Sequence, residues 1–341
     1  MIGVCSGRPV SITGLGCYAP ERVLTNDELA KTVETSDEWI QTRTGIRERR
    51  IAAPDEATSD LCLPAAEAAL ADAAVKGSEI DLVIVATITA DMPFPSTAAI
   101  LASRLGAANA AAYDLSAGCT GFVYAITQGY SAIAAGLARR VLVVGADTLS
   151  RIVDWSDRAT CVLFGDGAGA VVLERVEAGG FHVFELGADG AGGMELFMPA
   201  GGSRRPANAE TVAAREHYVK MNGREVYKFA TRVLPSSARA VLEASERSIA
   251  DIDLYVPHQA NLRIIEHAAK KLGIEKERVF VNVDRYGNTS SASIPLALCE
   301  ARAEGRLKDG MLVLMTGMGS GLTWGSNLMT WTEGRDDEHQ S

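Results

Sequence analysis

Ala112-Tyr-Asp-Leu-Ser-Ala-Gly-Cys119-Thr-Gly-Phe-Val-Tyr-Ala-Ile126 reads as a β-strand, a turn of small residues and the opening of a helix. Gly118 and Gly121 permit a tight turn and the close approach of a second backbone. Cys119 then stands at a helix N-terminus, where unpaired N–H groups and the helix dipole favour a thiolate. A thiolate there is a nucleophile suited to covalent catalysis. A free cysteine is also a small, commonly buried hydrophobe, and the local sequence leaves both readings open. The same strand-and-helix grammar continues on either side. Short β-branched runs at 82–87, 141–145, 170–173, 254–256, 279–283 and 311–315 read as buried strands. Ala/Leu-rich stretches at 61–74, 123–135 and 226–243 read as helices between them. Such alternation predicts an α/β fold with helices packed on largely buried sheets.

A faint repeat runs through this pattern. Glu79-Ile-Asp-Leu82 resembles Asp251-Ile-Asp-Leu254 after 172 residues, Leu142-Val-Val resembles Val313-Leu-Met after 171, and Tyr113-Asp-Leu resembles Val283-Asp-Arg after 170. The 341-residue chain is close to twice that period and too long for one ordinary core. Two halves are therefore expected, 1–178 carrying Cys119 and 179–341, meeting near 175–185.

The chain holds 33 Lys and Arg against 43 Asp and Glu, a net charge of −10. This argues against a general nucleic-acid or anionic-membrane binder while leaving room for a local basic patch. No apolar run approaches the roughly 18 residues a membrane helix needs. The N-terminal stretch lacks the basic-then-apolar order of a secretory signal, so a cytoplasmic location is expected. Six cysteines are scattered without a C-x-x-C pair, which fits neither a disulfide framework nor a zinc site. No metal-ligand motif is present, so no metal is expected.

Two further residues invite chemistry. Pro257 cannot continue a sheet ladder, so the chain should turn and present His258 at a strand's C-terminal end, where ligands of α/β sheets gather. Asn288, in Tyr286-Gly-Asn-Thr-Ser-Ser-Ala-Ser293, follows a strand-like run and opens a helix, 169 residues after Cys119. On the repeat, Cys119 and Asn288 occupy matching positions. A lone histidine at a strand end is also an ordinary structural residue, and Asn an ordinary helix cap. The glycine-rich stretches at 165–169 and 317–321 precede strand-like residues rather than helices, which argues against a dinucleotide site. Thr25-Asn-Asp-Glu28 and Thr35-Ser-Asp-Glu38 both have the form of a helix-opening capping box. The second helix ends near Gly45 and sets Trp39 and Arg43 on one face. Residues 199–208 read as a long surface loop.

Cysteine after a strand, then His258-Gln-Ala-Asn261, then Gly287-Asn-Thr-Ser290, in that order, resembles the thiolase superfamily. More closely the chain is similar to the β-ketoacyl-[acyl carrier protein] synthase III family. Thr35-Ser-Asp-Glu-Trp-Ile40, Arg43-Thr-Gly-Ile-Arg-Glu-Arg49, Phe164-Gly-Asp-Gly-Ala-Gly169, Asp284-Arg-Tyr-Gly-Asn-Thr-Ser290 and Gly321-Leu-Thr-Trp-Gly325 extend the likeness over nearly the whole chain. The resemblance implies a duplicated fold, a five-layered αβαβα sandwich, and a homodimer. It implies an enzyme that condenses an acyl-CoA starter with malonyl-[acyl carrier protein] and needs no separate cofactor. It implies Cys119, His258 and Asn288 as catalytic residues, with backbone N–H groups of Cys119 and Ser320 around the oxyanion. Thr35, Trp39, Arg43, Arg158 and Asn261 match coenzyme and pantetheine contacts. Phe94 and Met318 match the acyl pocket, Phe94 reaching into that of a partner subunit.

Arg263, His267, Lys270 and Lys271 fall on one stripe of the helix expected after Asn261. A positive stripe beside a channel mouth would steer an acidic carrier protein, with Arg263, Lys270 and Lys271 as its docking residues. Three positions depart from the family pattern: Met318 for a usual Phe, Ser320 for Gly or Ala, and Arg224 for a common Asn. Methionine is the more pliable side chain, so a larger or branched starter is compatible with the pocket. A secondary-metabolism relative, either a polyketide starter synthase or an acyltransferase, is the alternative reading.

Overall fold

The computed structural model of the chain describes residues 1–332. The main strands are β1 (Ile2–Val4), β2 (Val10–Tyr18), β3 (Leu82–Ala86), β4 (Ala111–Leu115), β5 (Val141–Asp147), β6 (Gly167–Arg175), β7 (Gly180–Ala188), β8 (Leu254–Pro257), β9 (Leu312–Gly319) and β10 (Thr323–Thr330). The helices that matter here are α1 (Asp37–Thr44), α2 (Thr58–Asp72), α3 (Thr97–Arg104), α4 (Gly121–Ala134), α5 (Gly223–Ala244), α6 (Leu262–Leu272) and α7 (Ser293–Ala303).

Strands β2-β6-β5-β3-β4 form one sheet and β1-β7-β10-β9-β8 a second. In the first, β2/β6 and β6/β5 are antiparallel and β5/β3 and β3/β4 parallel. The second repeats this sense: β7/β10 and β10/β9 antiparallel, β9/β8 parallel, and a parallel bridge from Tyr255 to Val279 where a fifth strand would lie. The duplication in the sequence is thus a duplication of strand order and direction. β1 is the exception, pairing antiparallel with β7 and tying the chain's first residues into the second sheet.

The layering follows from side-chain alternation along fully buried strands. Leu142 and Val144 face outward with Val83 and Val85 onto Leu61, Ala65 and Ala69 of α2. Val141 and Val143 face inward onto Phe122 and Ile126 of α4 and Ile294 and Leu298 of α7, which in turn meet Val313, Met315 and Met329 of the second sheet. Helices α5 and α6 cover that sheet's outer face. The order is α2/α3, sheet, α4/α7, sheet, α5/α6: five layers, with the two central helices buried on both sides. Small residues set the spacing. A Cβ on Gly16 would lie 2.3 Å from the Ala65 carbonyl oxygen, so glycine lets the alanine-lined face of α2 rest directly on β2.

Several sequence expectations need correction. Residues 279–283 are not a strand beyond the Val279 bridge, and Val283–Tyr286 is a helical turn. The 170-residue match of Tyr113 to Val283 therefore links a strand to a helix. Ser36, not Thr35, caps α1, accepting from the Trp39 N–H at 3.1 Å. The choice between adjacent hydroxyls is set by backbone conformation, which the Thr-x-x-Glu spacing does not encode. Thr25 does cap a helix, but of only four residues, Asn26–Leu29. The glycines of 165–169 are packing positions: a Cβ on Gly165 would lie 2.3 Å from the Tyr286 carbonyl, and one on Gly169 2.6 Å from Pro295 Cβ.

Candidate active site

Cys119 is the middle residue of the 3-10 turn Gly118–Thr120 that leads from β4 into α4. Gly118 has φ +55°, and a Cβ there would lie 2.5 Å from Ser320 Oγ and 2.7 Å from its backbone nitrogen. Only glycine meets both demands. A Cβ on Gly319 would come within 2.4 Å of the Cys119 nitrogen. The turn after β9 is thereby pressed against the backbone that carries the thiol, with the backbone of Ser320 adjoining Cys119.

The thiol is buried, with 7% of Cys119 exposed. Burial pushes it up to about 12, opposed by the Ser290 hydroxyl, reinforced by the Asp147 carboxyl, and opposed again by the local backbone and the Asn288 carboxamide. The helix-start argument anticipated a resting thiolate. Desolvation outweighs the dipole here, and the resting group is a thiol.

His258 follows β8, its N–H bonded to the Thr316 carbonyl at 2.8 Å. The ring is buried, and its Nδ1 lies 2.6 Å from Ser293 Oγ at the start of α7. Its Nε2 has no hydrogen-bond partner. Burial lowers the imidazole to about 3, so the ring is neutral near pH 7. A serine hydroxyl can donate to Nδ1 or accept from it, so Ser293 supports either tautomer. Next to it, buried Gln259 bonds the Pro257 and Phe280 carbonyls at 2.8 and 3.2 Å and receives the Asn282 N–H at 3.0 Å, fixing the loop.

Asn288 is anchored on both sides of its backbone, its N–H to the Leu163 carbonyl at 2.8 Å and its carbonyl to the Gly165 N–H at 3.0 Å. Its Oδ1 accepts from the Ser290 N–H at 2.9 Å, which orients the amide nitrogen as the remaining donor. Cys119, His258 and Asn288 line one cavity of about 100 Å³, together with Asn261, Tyr227 and Met318. A second cavity of about 170 Å³ begins at Cys119, Ser290 and Ser320 and is walled by apolar groups that include Ile88, Leu149, Ile152 and Val219. The thiol stands where the two cavities meet, the first mainly apolar but carrying the polar groups of His258, Asn261 and Asn288, the second an apolar recess.

The architecture and this meeting of three groups can be set beside known proteins. Residues 113–190 match the family model described as 3-oxoacyl-[acyl-carrier-protein] synthase III, and residues 242–331 match the model of its C-terminal part. A β-ketoacyl-[acyl-carrier-protein] synthase III of Symbiobacterium thermophilum is 57% identical over 325 residues, 95% of this chain and 98% of that protein. The chain belongs to the β-ketoacyl-[acyl-carrier-protein] synthase III family. A solved synthase III from Thermus thermophilus superposes with a TM-score of 0.88 at 50% identity, covering 95% of this chain and 99% of that one. The priming β-ketosynthase of the R1128 polyketide pathway has a similar TM-score of 0.89 but only 37% identity, over 95% of this chain and 97% of that one. Sequence thus draws the chain toward the synthase III proteins rather than the polyketide enzyme.

Of the remaining residues singled out in this family member, Asn261 and Met318 line the cavity with His258 and Asn288, and the others lie outside both cavities. Arg158 lies over the Trp39 ring at 5.0 Å and Arg43 approaches the same ring at 5.8 Å. Arg158 also donates to the Glu34 carbonyl at 3.0 Å. Thr35 Oγ1 is buried without a partner. Asn261 caps α6 through the Arg263 N–H at 2.9 Å and donates to the Arg43 carbonyl at 3.1 Å, joining the α1 region to the second half. Met318 lines the cavity of His258 and Asn288 rather than the recess walled by Ile88 and Val219, because it sits on the β9 face that meets α5 and α6. Phe94 is 84% exposed and lines neither cavity of its own chain. Arg263 lies 5.7 Å above the Tyr227 ring near the channel, and Lys270 and Lys271 are exposed in the last turn of α6. Arg224 is exposed at the start of α5, beside channel-lining Gly223. Sequence reasoning did not find Ser290, Ser293 and Asp147. The serines lie in the stretch read as a helix cap, and only packing gives each hydroxyl its separate direction.

Proposed function

We infer that the chain catalyses the decarboxylative condensation of an acyl-CoA starter with malonyl-[acyl carrier protein], giving a 3-oxoacyl-[acyl carrier protein] at the start of fatty acid synthesis. The observation that carries this reading is a buried thiol, an unpartnered imidazole nitrogen and an oriented carboxamide around one cavity. In the first step the Cys119 proton passes to neutral His258 Nε2 as the sulfur attacks the thioester carbonyl. The carbon–sulfur bond to coenzyme A then breaks, and the leaving thiolate takes the proton. The acyl-Cys119 intermediate divides one difficult reaction into two. Once coenzyme A has left, exchange with solvent returns His258 as its other neutral tautomer, Nδ1 accepting from Ser293 Oγ and Nε2 carrying the hydrogen. In the second step malonyl loses carbon dioxide, and its enolate oxygen is held by this Nε2–H and the amide of Asn288. The carbanion attacks the acyl carbonyl, whose oxyanion faces backbone N–H groups of Cys119 and Ser320, and expels the sulfur as a thiolate, which takes a proton from solvent to restore the thiol. Donors fixed in a dry site stabilise such charge without reorganising.

In this reading Thr35, Trp39, Arg43, Arg158 and Asn261 hold the coenzyme and pantetheine. Trp39 and Arg158 sandwich the adenine, which enters between the ring and the guanidinium as Arg158 moves outward from its present 5.0 Å. The apolar recess takes the acyl group, closed by Phe94 of a second copy in a homodimer, and Met318 shapes the channel beside it. Arg263, Lys270 and Lys271 dock the carrier protein. Residues 1–178 supply the nucleophile and 179–341 the donors. No further cofactor enters the chemistry, and the enzyme works in the cytoplasm. Among the described residues no helix is long and apolar enough to cross a membrane.

Intact-mass measurement after incubation with acetyl-, isobutyryl- and longer acyl-CoAs tests the first step and reports the preferred starter. An unmodified mass with every starter removes the acyl-enzyme. Adding malonyl-carrier protein must then release carbon dioxide and a 3-oxoacyl product; transfer without carbon dioxide identifies an acyltransferase instead. Arg263→Glu is expected to weaken use of the carrier substrate and leave self-acylation unchanged.

A further inference from the structure

The motif at 288–293 contains one polar group without a structural task. Asn288 Oδ1 holds the Ser290 N–H, Ser291 Oγ donates to the Gly118 carbonyl at 3.1 Å, and Ser293 Oγ meets His258. The Ser290 hydroxyl has no hydrogen-bond partner, although the residue is fully buried. Its backbone is unusual as well: φ is +51°, in the left-handed region that a side chain occupies at a cost. On conformational grounds glycine suits this position better. A strained, unsatisfied serine in a packed interior calls for a function.

Its surroundings supply one. Ser290 lines the apolar recess together with Cys119 and Ser320. The same hydroxyl also favours the charged form of the Asp147 carboxyl, but that carboxyl already receives the Ile88 N–H at 2.9 Å, the Thr87 and Thr89 hydroxyls at 3.0 and 2.9 Å, and the Ser291 N–H at 3.3 Å. Of the influences on the thiol, Ser290 is the foremost that favours the charged sulfur.

We propose that Ser290 is a further catalytic residue, whose hydroxyl donates a hydrogen bond to the Cys119 sulfur as negative charge develops there. The hydroxyl keeps its own proton. At rest the sulfur carries hydrogen and accepts weakly, so the donor stands idle. When the thiol proton leaves for His258, the sulfur becomes a strong acceptor and the idle donor engages. The same bond forms again when the sulfur is expelled from the acyl group in condensation. This assignment rests on the acyl-Cys119 reading for its place in turnover, but the thiol chemistry itself is measurable without any acyl substrate.

The test compares Ser290→Gly and Ser290→Ala with the parent chain. Both remove the hydroxyl, and glycine also relieves the backbone, so its thermal stability is expected to equal or exceed the parent's. The probe is iodoacetamide, followed as the mass added at Cys119 between pH 7 and 10. Asp147 and His258, the titratable groups facing the sulfur, are unchanged in both variants. Alkylation is expected to slow about 10- to 100-fold, the worth of one hydrogen bond to a charged group, with its pH profile displaced upward. Acylation by acetyl-CoA should fall through kcat with KM unchanged. A parent-like alkylation profile in Ser290→Gly overturns the proposal. A loss of melting temperature with unaltered alkylation also overturns it, since the hydroxyl then serves only folding. Slowed alkylation in a chain that no acyl-CoA modifies sustains the role of Ser290 and defeats the condensing-enzyme reading instead.

Discussion

The turns Gly118–Thr120 and Ser290–Ala292 open the two central helices, one in each half, and stand 172 residues apart. That spacing also relates β3 to β8 at Leu82 and Leu254, and α4 to α7 at their first residues. The residue equivalent to Cys119 is therefore Ser291, not Asn288. The expectation that Cys119 and Asn288 match was off by three positions, because the 169-residue spacing followed motif starts rather than the helix frame. The twin of the nucleophile is a serine that bonds the Gly118 carbonyl and clasps the nucleophile's own turn. The same architecture has been given two uses: one turn presents a reactive atom, and the other holds the first in place while its flanks, Asn288, Ser290 and Ser293, supply or orient donors.

This division can be broken at several depths. The deepest is Cys119→Ala, which should abolish acyl mass gain from any acyl-CoA, whereas Ser291→Ala at the equivalent site should retain it. Asn288→Ala should slow condensation on the order of a hundredfold while the chain still acylates, because it removes an enolate donor and not the nucleophile. Gly118→Ala tests the geometry of the first turn. It adds a Cβ at φ +55° into Ser320 and should lower unfolding free energy by about 2 kcal/mol or more in chemical denaturation.

Two residues of the site, one from each half, respond to opposite ends of the pH scale. His258 is held at about 3 against an ordinary 6.5, so below 6.5 the unfolded chain binds the proton first and stability falls as pH drops toward 3. Cys119 is held at about 12 against an ordinary 9.0, so above 9.0 the unfolded chain loses the proton first and stability falls as pH rises toward 12. Each limb approaches a slope of about 1.4 kcal/mol per pH unit per group. Denaturation of His258→Phe should flatten the acid limb alone, and of Cys119→Ala the alkaline limb alone. The mildest perturbation is Ser291→Ala, expected to cost about 1 kcal/mol for one lost hydrogen bond.

The legible parts of the sequence were those governed by short-range rules. The β-branched runs at 82–87 and 141–145 became strands because both of their faces are buried. The helix after Asn261 runs as expected to Leu272, ending at left-handed Gly273. Prolines at 64 and 235 lie inside α2 and α5, against the usual rule that proline ends a helix, because packing on a sheet holds the chain through them. The resting state of Cys119 was not legible, since helix-dipole and burial effects oppose each other and only the three-dimensional surroundings fix the second. The direction of each hydroxyl in Ser290-Ser-Ala-Ser293 was hidden for a similar reason. Three serines of identical composition face sulfur, carbonyl and imidazole because the turn rotates them apart.

A nucleophile stored with its proton has a consequence for life between turnovers. Peroxides and alkylating metabolites consume thiolates, and this sulfur offers them few. On the proposed mechanism, reaction begins only when a thioester occupies the channel and a neutral imidazole is there to accept the hydrogen. The enzyme thus separates its proper substrate from stray electrophiles by when its sulfur becomes charged, before any contact with the acyl chain is compared.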